Sequence, residues 1–319
     1  PALNVVLPFG CEGRNDIRVY MAHTDVVFPD TDPLPVREEG GRLYAPGVGD
    51  DTANVSALMM CAKYILSHPG CLKEPVLLVF NSCEEGLGNL KGTRQIFKDY
   101  EGRIKRFYTF DGGYGGCTTR SVGSHRYQVT VKTKGGHSFN DFGNENAARV
   151  LAEGIQMIYR IPVPEGGKTT YNVGLISGGT SVNTIVQEAS MLCEYRSESS
   201  ENLDIMKEAF QKVFTAMAES AEVEVVLVGD RPGMKHVDPA AQKTLSDLCA
   251  DIQQKHGCVT PVKNSGSTDC NIPHSMGIPA VCVGTYLGGG AHTREEWVEK
   301  ASIPVGVKIV ADIMLTYFS

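Results

Sequence analysis

The stretch IRVYMAHTDVV, residues 17–27, is a β-rich apolar run whose polar residues, apart from Arg18, collect near its carboxyl end. A continuous apolar run of this length is typical of a strand that is buried on both faces of a sheet. The sequence therefore predicts a buried strand that delivers His23 and Asp25 at its carboxyl end.

Two further apolar runs end in acidic residues. Residues 75–83 (PVLLVFNSC) lead into Glu84 and Glu85, and residues 106–110 lead into Asp111. Segments of helical composition separate the three runs, at residues 51–66 and 90–100. Alternating strands and helices predict an α/β fold. Because open α/β sheets collect ligands at the carboxyl ends of their strands, we expect these polar residues to meet there.

The pattern changes after Gly116 to half-exposed strands around two helices. The predicted order is βαββαβ, with strands at 127–133, 169–176, 189–196 and 222–228 and helices at 145–159 and from 203. This is the order of a ferredoxin-like split module. From Pro239 the α/β pattern returns. We predict a catalytic domain in two parts, residues 1–117 and 232–319, interrupted by an inserted domain at 118–231.

Length and composition limit the class of protein. A chain of 319 residues favours two domains, or one large domain with an insertion. The net charge is -7, and no basic cluster interleaves with aromatic residues, so neither nucleic acid nor an anionic membrane is an expected partner. No apolar run approaches the roughly 20 residues that span a bilayer. No signal pattern precedes the first strand, although the start at Pro1 suggests an incomplete beginning.

The ten cysteines are scattered without CxxC pairs. We predict free, partly buried thiols, which are typical of a reducing compartment. The predicted localisation is cytoplasmic.

His23 and Asp25 are two residues apart on a strand, so their side chains point to the same face. The Asp25 carboxylate is then in a position to bind the ring nitrogen of His23 that faces away from a metal, which would fix the tautomer. A single HxD pattern is weak, and a histidine satisfied by a neighbouring carboxylate is the alternative.

Three acidic motifs complete the candidate site. Asp50 follows a tight glycine turn and precedes a helix, so helix capping is its alternative role. Glu84 and Glu85 would repel each other at a strand end unless a cation or a proton were present. Since adjacent residues point in different directions, we assign Glu85 as a metal ligand and Glu84 as the general base. Asp111 has a turn as its alternative.

His292 lies in the glycine-rich loop GGGAHT. Two histidines and three carboxylates make two metal sites if Asp50 bridges them. One ion would bind His23, Asp50 and Asp111, and the other would bind Asp50, Glu85 and His292. Each ion would keep an open coordination position, as catalytic zinc requires. These ligands suit Zn²⁺, with Mn²⁺ or Co²⁺ as alternatives.

The ordered series HTD, GDD, EEG, DGG and AHT, beginning at residues 23, 49, 84, 111 and 291, resembles the M20 family of dinuclear zinc peptidases. That family includes peptidase T, carboxypeptidase G, aminoacylase and succinyl-diaminopimelate desuccinylase relatives, and the resemblance covers nearly the whole chain. It implies a mixed-sheet, zinc-exopeptidase-like catalytic domain and a ferredoxin-like lid that forms a homodimer. It also implies that Asp50 bridges the ions, often with a cis peptide to Asp51, and that Asp25 lies behind the ligands.

The resemblance also assigns residues in the insertion. His137 in GGHS matches the histidine that stabilises the oxyanion, although a polar turn residue is the alternative. Asn183 and Arg196 match substrate-anchoring groups, and an arginine fork suits a carboxylate. A surface ion pair is the alternative for Arg196. Residues 266–269 are expected to line the pocket without a chemical role.

The HTD motif lies closer to the start than in relatives, which puts the completeness of the catalytic core in question. The predicted function is a dinuclear zinc metallopeptidase, an exopeptidase acting on short peptides. The alternative is an N-acyl amino acid deacylase or desuccinylase with the same metal centre. An inactive relative that only binds partners would be expected to lack a ligand or the base. A nucleotide-binding protein is disfavoured, because the third glycine of its fingerprint would fall at Thr52.

Overall fold

The structure, a computed structural model, describes residues 3–29, 34–68, 70–72, 74–258 and 260–315, so Pro1 lies outside the described residues. The chain divides into two compact units. Unit 1 comprises Pro1–Ser121 with Met234–Ser319, and unit 2 comprises Val122–Gly233. The boundaries predicted after residues 117 and 231 fall just before these divisions.

Strands and helices alternate along much of the chain. In chain order, the strands are β1 (Val5–Phe9), β2 (Ile17–His23), β3 (Arg37–Glu39), β4 (Arg42–Tyr44), β5 (Val76–Asn81), β6 (Ile104–Phe110), β7 (Gly116–Ser121), β8 (Gly123–Lys132), β9 (Gly136–His137), β10 (Thr169–Gly178), β11 (Thr184–Ile185), β12 (Glu188–Ser197), β13 (Glu222–Arg231), β14 (Val262–Gly266), β15 (Ala280–Val283), β16 (Gly288–Gly289) and β17 (Trp297–Glu299). The helices are α1 (Thr52–Ser67), α2 (Lys91–Asp99), α3 (Ala147–Ile158), α4 (Ser200–Ala218), α5 (Pro239–Lys255), α6 (Asn271–Ser275) and α7 (Ile303–Leu315).

Unit 1 contains a seven-stranded mixed sheet in the order β1-β5-β2-β6-β15-β7-β14. Strand β2 runs parallel to both β5 and β6, and β15 runs parallel to β6. Strand β1 is antiparallel to β5, and β7 is antiparallel to β15. The predicted mixed-sheet α/β fold is thus confirmed. Because β2, β5 and β6 are parallel, their carboxyl ends lie at one edge of the sheet.

Every residue of β2 is buried, because the sheet has an apolar layer on each face. Tyr20 and Ala22 pack into the layer that contains α1, α5 and α7. Val19 and Met21 point the other way and pack with residues of α2 and α6. This two-sided burial holds His23 rigidly at the end of β2.

A second, smaller sheet in unit 1 has the order β16-β17-β4-β3. Its strands are two or three residues long, and the sequence patterns did not predict it. Glu299 pairs with Arg42 across β17 and β4. The sheet brings the segment after His292 next to the segment before Asp50.

Unit 2 is a four-stranded antiparallel sheet in the order β10-β12-β8-β13, with α3 and α4 packed on it. Buried and partly exposed residues alternate along β12, as expected for a strand with one covered face. The apolar side of α4 is buried against the sheet, through Leu203, Met206, Phe210, Val213, Phe214 and Met217. The main elements follow the order βαββαβ, with the short β9 and β11 paired separately.

No helix within the described ranges is long and apolar enough to cross a membrane. All ten cysteines lie in the described part of the chain, and each is a free thiol.

Candidate metal centre

His23, the last residue of β2, is only 1% exposed. Its Nδ1 lies 3.0 Å from the main-chain oxygen of Asp25, and its Nε2 lies 3.1 Å from Oδ1 of Asp50. A carbonyl oxygen only accepts hydrogen bonds, so Nδ1 carries the proton of the neutral ring. The lone pair of Nε2 is then directed to the Asp50 side, where a metal would be.

Asp50 lies between two histidines from distant parts of the chain. Its Oδ1 faces His23 Nε2, and its Oδ2 lies 3.1 Å from Nε2 of His292. The same nitrogen of His292 lies 3.2 Å from Oε1 of Glu85. Each oxygen of Asp50 therefore belongs to a different set of candidate donors.

The described residues contain three overlapping groups of possible metal donors. One combines His23, Glu84 and Glu85, and the other two share Asp50. Donor atoms of His23, Asp50, Asp51 and Asp111 lie within 4.8 Å of one another, and those of Asp50, Glu85 and His292 do so separately. These two groups correspond to the two ligand sets predicted from the sequence, with Asp51 added to the first.

The carboxylate of Asp51 accepts hydrogen bonds from other parts of the site and does not cap helix α1. Asp51 precedes α1, but its side chain makes no capping hydrogen bond. Oδ2 accepts the backbone N–H of His23 at 3.0 Å, and Oδ1 accepts Nδ2 of Asn54 at 2.7 Å. The peptide bond between Asp50 and Asp51 is cis. Asp51 thus ties the loop of Asp50 to the end of β2.

The main contacts of the Asp25 carboxylate differ from the predicted contact with His23. This carboxylate is 3.7 Å from Nδ1 of His23, beyond hydrogen-bond distance, and the main-chain oxygen takes that position instead. The carboxylate accepts the backbone N–H groups of Glu84 at 3.2 Å and of Glu85 at 3.0 Å. Asp25 therefore positions both glutamates.

Glu84 is 5% exposed and lies beside the ligands. Its carboxylate is within 4.8 Å of donor atoms of His23 and Glu85. The preceding residue, Cys83, has a φ of 68°, in the left-handed region that a non-glycine residue seldom adopts. A Cβ on Gly88 would lie 2.5–2.7 Å from the Cys83 backbone, so a glycine is required at position 88, where the chain packs against Cys83. This turn aims Glu84 and Glu85 into the site.

The buried carboxylates repel one another. Burial, with His23 opposing it and the nearby Asp50 adding to it, raises the pKa of Asp111 to about 7. Burial and Asp50 also raise the pKa of Glu85. Burial would lower the pKa of His23, but the carboxylates around it, Asp51 first, outweigh that effect and raise it well above its usual value. A bound cation would relieve this repulsion.

The donor chemistry fits a divalent metal. Two imidazoles and three carboxylates are ligands that zinc accepts, and manganese and cobalt accept them too. The residues present therefore fit the predicted metal centre.

Three residues support the site beyond their predicted roles: Asn54 and Glu296 were not singled out from the sequence, and Asp269 was expected only to line the pocket. Asn54 holds Asp51 and accepts a hydrogen bond from the Thr285 hydroxyl. Asp269 is fully buried and accepts hydrogen bonds from Nδ2 of Asn81, at 2.8 Å, and from a threonine hydroxyl. Glu296 contacts the loop of Asp50. The spacing of Asn54, three residues after Asp51 on a helix, was the only available signal.

The three predicted residues of unit 2 have different surroundings. His137 is exposed, and its Nδ1 accepts the backbone N–H groups of Phe139 and Asn140 at 3.3 and 3.4 Å. The main-chain oxygen of Asn183 accepts the N–H of Ser138, which brings Asn183 beside His137. Arg196 instead forms a two-pronged ion pair with Glu194, at 2.8 and 3.1 Å.

Comparisons with known proteins show the family to which the chain belongs. Residues 19–316 match the family model for Peptidase family M20/M25/M40. A Mycobacterium tuberculosis protein described as "Putative succinyl-diaminopimelate desuccinylase DapE" is 26% identical over 302 residues, covering 92% of this chain and 81% of that protein. Carboxypeptidase G2 of Pseudomonas sp. (strain RS-16) is 22% identical over 316 residues, covering 96% and 74% of the two chains.

The fold is also shared with solved structures. A tripeptidase from Staphylococcus aureus has a TM-score of 0.74 at 20% identity, covering 99% of this chain and 84% of that one. The resemblance predicted from the ordered motifs is confirmed, since the family model spans most of the chain. The chain belongs to peptidase family M20/M25/M40, a family of metal-dependent hydrolases that act on peptide or amide bonds.

Proposed function

We propose that this protein is a dinuclear zinc metallopeptidase that hydrolyses the amide bond of short peptides. The observation that carries the proposal is the position of Asp50, whose two carboxylate oxygens each lie 3.1 Å from the ring nitrogen of a different histidine. Such an arrangement suits a carboxylate that bridges two cations.

The proposed ligand sets follow from the two groups of donors that share Asp50. One ion would be held by His23, Asp50 and Asp111, and the other by Asp50, Glu85 and His292. Two zinc ions would supply Lewis acidity toward the substrate carbonyl and would make a water molecule more acidic.

Glu84 is the proposed general base. It would accept a proton from the attacking water and pass it to the leaving amine, because its carboxylate is buried within 4.8 Å of donor atoms of His23 and Glu85. Asp25 supports this role through the backbone N–H of Glu84. The proposed division of labour leaves Glu85 to bind metal.

The inserted unit is proposed to be a ferredoxin-like lid domain. Its strand order, β10-β12-β8-β13, and its βαββαβ sequence of elements support this. His137 is proposed to stabilise the oxyanion. Because its Nδ1 accepts two backbone N–H groups, the neutral ring carries its proton on Nε2, where it is a donor.

Asn183 and Arg196 are proposed to anchor the substrate. Asn183 directly precedes strand β11, which pairs with β9, and its main-chain oxygen accepts the N–H of Ser138, the residue after His137. Arg196 would exchange its ion pair with Glu194 for a substrate carboxylate.

We also propose a homodimer formed through unit 2. Strand β10 lies at the edge of its sheet, and its side chains Leu175 and Ile176 are 57% and 61% exposed. An apolar edge strand favours pairing with another chain. Light scattering of wild type and Ile176→Glu tests the dimer, which the introduced charge should dissociate.

The free thiols support a reducing compartment, for which we propose the cytoplasm.

The second candidate function is hydrolysis of N-acyl or N-succinyl amino acids. The similarity to the Mycobacterium tuberculosis protein described as a desuccinylase favours it. The proposed metal centre suits both substrates, since the same carbonyl chemistry is required.

Metal analysis combined with a substrate panel tests the proposal. We expect two zinc ions per chain after zinc loading, and release of free amino acids from di- and tripeptides. Deacylation of N-acetyl or N-succinyl amino acids without peptide cleavage would favour the second candidate. Failure to bind metal would contradict both.

A further inference from the structure

Glu296 is a buried carboxylate that binds the backbone of the loop that carries Asp50. It is 1% exposed. Its Oε1 accepts the N–H groups of Gly49 at 2.9 Å and Asp50 at 2.7 Å, and its Oε2 accepts the N–H of Gly47 at 2.7 Å. Three of four consecutive residues are therefore held by one side chain.

These contacts are short and satisfy groups that would otherwise be costly to bury. Hydrogen bonds from N–H groups to a carboxylate are among the strong ones in proteins. A backbone N–H that loses its partner in a buried position destabilises the folded chain. The loop from Gly47 to Asp50 is thus strongly coupled to the position of Glu296.

A second side chain limits the loop on another side. A Cβ built on Gly49 would lie 2.6–2.7 Å from ring atoms of Tyr286, which is itself buried. The loop therefore lies close against the ring with no room for a side chain at position 49. The hydrogen bonds to Glu296 hold the backbone in this position, and the ring of Tyr286 prevents a closer approach.

The position of this backbone determines where the carboxylate of Asp50 lies. The N–H of Asp50 itself donates to Glu296, so the residue is anchored one bond from its Cα. Its two oxygens must each stay near a different histidine, at 3.1 Å in both cases. A shift of the loop would disturb both contacts together.

We propose that Glu296 is the positioning residue for the bridging carboxylate, acting on both metal sites through Asp50. The inference rests on the proposed two-ion centre. Glu296 follows His292 by four residues, so one short segment supplies a ligand to one ion and controls the orientation of the ligand shared by both. Among the described residues, the groups of candidate donor atoms do not include Glu296.

The neighbouring Glu295 provides a matched control. Its side chain is 85% exposed, and its ion pair with Arg37 is long, at 3.9 Å. Replacing either glutamate by alanine removes the same charge at almost the same place in the sequence. Only Glu296 contacts the loop.

The test is calorimetric zinc binding to metal-free protein. We expect wild type and Glu295→Ala to bind two ions equally tightly. Glu296→Ala should weaken both ions together, by about 10- to 100-fold, the usual effect of removing a group that orients a ligand. His292→Ala should weaken one ion only, because His292 belongs to one ligand set. Absorption of the cobalt-loaded proteins should change at both sites in Glu296→Ala and at one in His292→Ala.

Glu296→Gln extends the test. Glutamine keeps one oxygen for the N–H groups of Gly49 and Asp50 but turns an NH₂ group toward the N–H of Gly47. We expect zinc affinities between those of wild type and Glu296→Ala. Circular dichroism of the metal-free proteins reports folding, and if Glu296→Ala does not fold, the glutamine variant decides.

The outcomes separate the two hypotheses. A wild type that binds fewer than two ions contradicts the proposed function. If wild type binds two ions, then unchanged affinities in both Glu296 variants, or weakening of one ion only, overturn the positioning role. Parallel weakening of both ions, partly restored by glutamine, supports it.

Discussion

The carboxylate of Asp25 accepts a hydrogen bond from the backbone N–H of Glu84 at 3.2 Å, so the end of strand β2 holds the segment that follows strand β5. Its other oxygen accepts the N–H of Glu85 at 3.0 Å. The proposed base and a proposed ligand are therefore oriented by one side chain.

Asp25→Ala removes both of these contacts. We expect kcat to fall by about 10- to 100-fold and the ion bound by Glu85 to bind more weakly, because both glutamates lose their anchor. Steady-state kinetics and zinc binding measure the two effects. Asp16→Asn, a change at an exposed ion pair with Arg14, is the control and should behave as wild type. Kinetics and zinc binding unchanged in Asp25→Ala would refute the anchoring role.

Glu84→Gln keeps the size of the side chain but removes its ability to take up a proton. We expect kcat to fall by about 10²- to 10⁴-fold, while two zinc ions remain bound, because general base catalysis contributes on that order. Glu101→Gln, at an exposed position, should leave activity unchanged. Activity near wild type in Glu84→Gln would show that Glu84 is not the general base. Loss of zinc would show that Glu84 is a metal ligand instead.

The stability of the metal-free protein should fall as the pH rises. The Asp111 carboxyl has a pKa raised to about 7 in the folded protein, against an ordinary value of 3.8. Between these two values the folded state binds more protons than the unfolded chain, so stability is lost over this range. His23, whose pKa is also raised, acts in the same direction at higher pH. Asp50, whose pKa is lowered, acts in the opposite direction but only below about pH 4.

Thermal unfolding of the metal-free protein at pH 5 and pH 8 measures this effect. We expect a lower Tm at pH 8, and a smaller difference in Asp111→Asn. Zinc should raise the Tm most at pH 8, because the ligands must lose their protons to bind it. Equal pH dependence in wild type and Asp111→Asn would show that Asp111 is not the group responsible.

His137→Ala tests the proposed oxyanion donor. We expect kcat to fall by about 10²- to 10³-fold, as for removal of one oxyanion donor, with zinc content unchanged. His68→Ala changes an exposed histidine of unit 1 and should have no effect. A lower zinc content in His137→Ala, or unaltered kinetics, would exclude His137 from the proposed role.

The main sheet and its strand ends were predictable because each carries a local signal. The run from Ile17 to Ala22 is apolar apart from Arg18, and the structure buries it on both faces. Runs of this kind lead into His23, Glu84 and Asp111, so a rule about the carboxyl ends of strands was enough to group those residues. The four short strands of the second sheet carry no such signal, since two or three residues do not establish a periodicity.

The sequence by itself determined which residue types were available for chemistry and in what order they follow the strands, since strand burial depends on a local apolar pattern. Only the tertiary structure decided what each acidic residue contacts. Glu295 and Glu296 are chemically identical neighbours. Yet Glu295 is exposed to solvent, whereas Glu296 is buried against three backbone N–H groups that are distant from it in the sequence. Such long-range contacts depend on how the two sheets bring separated segments together, and no local pattern encodes that distance.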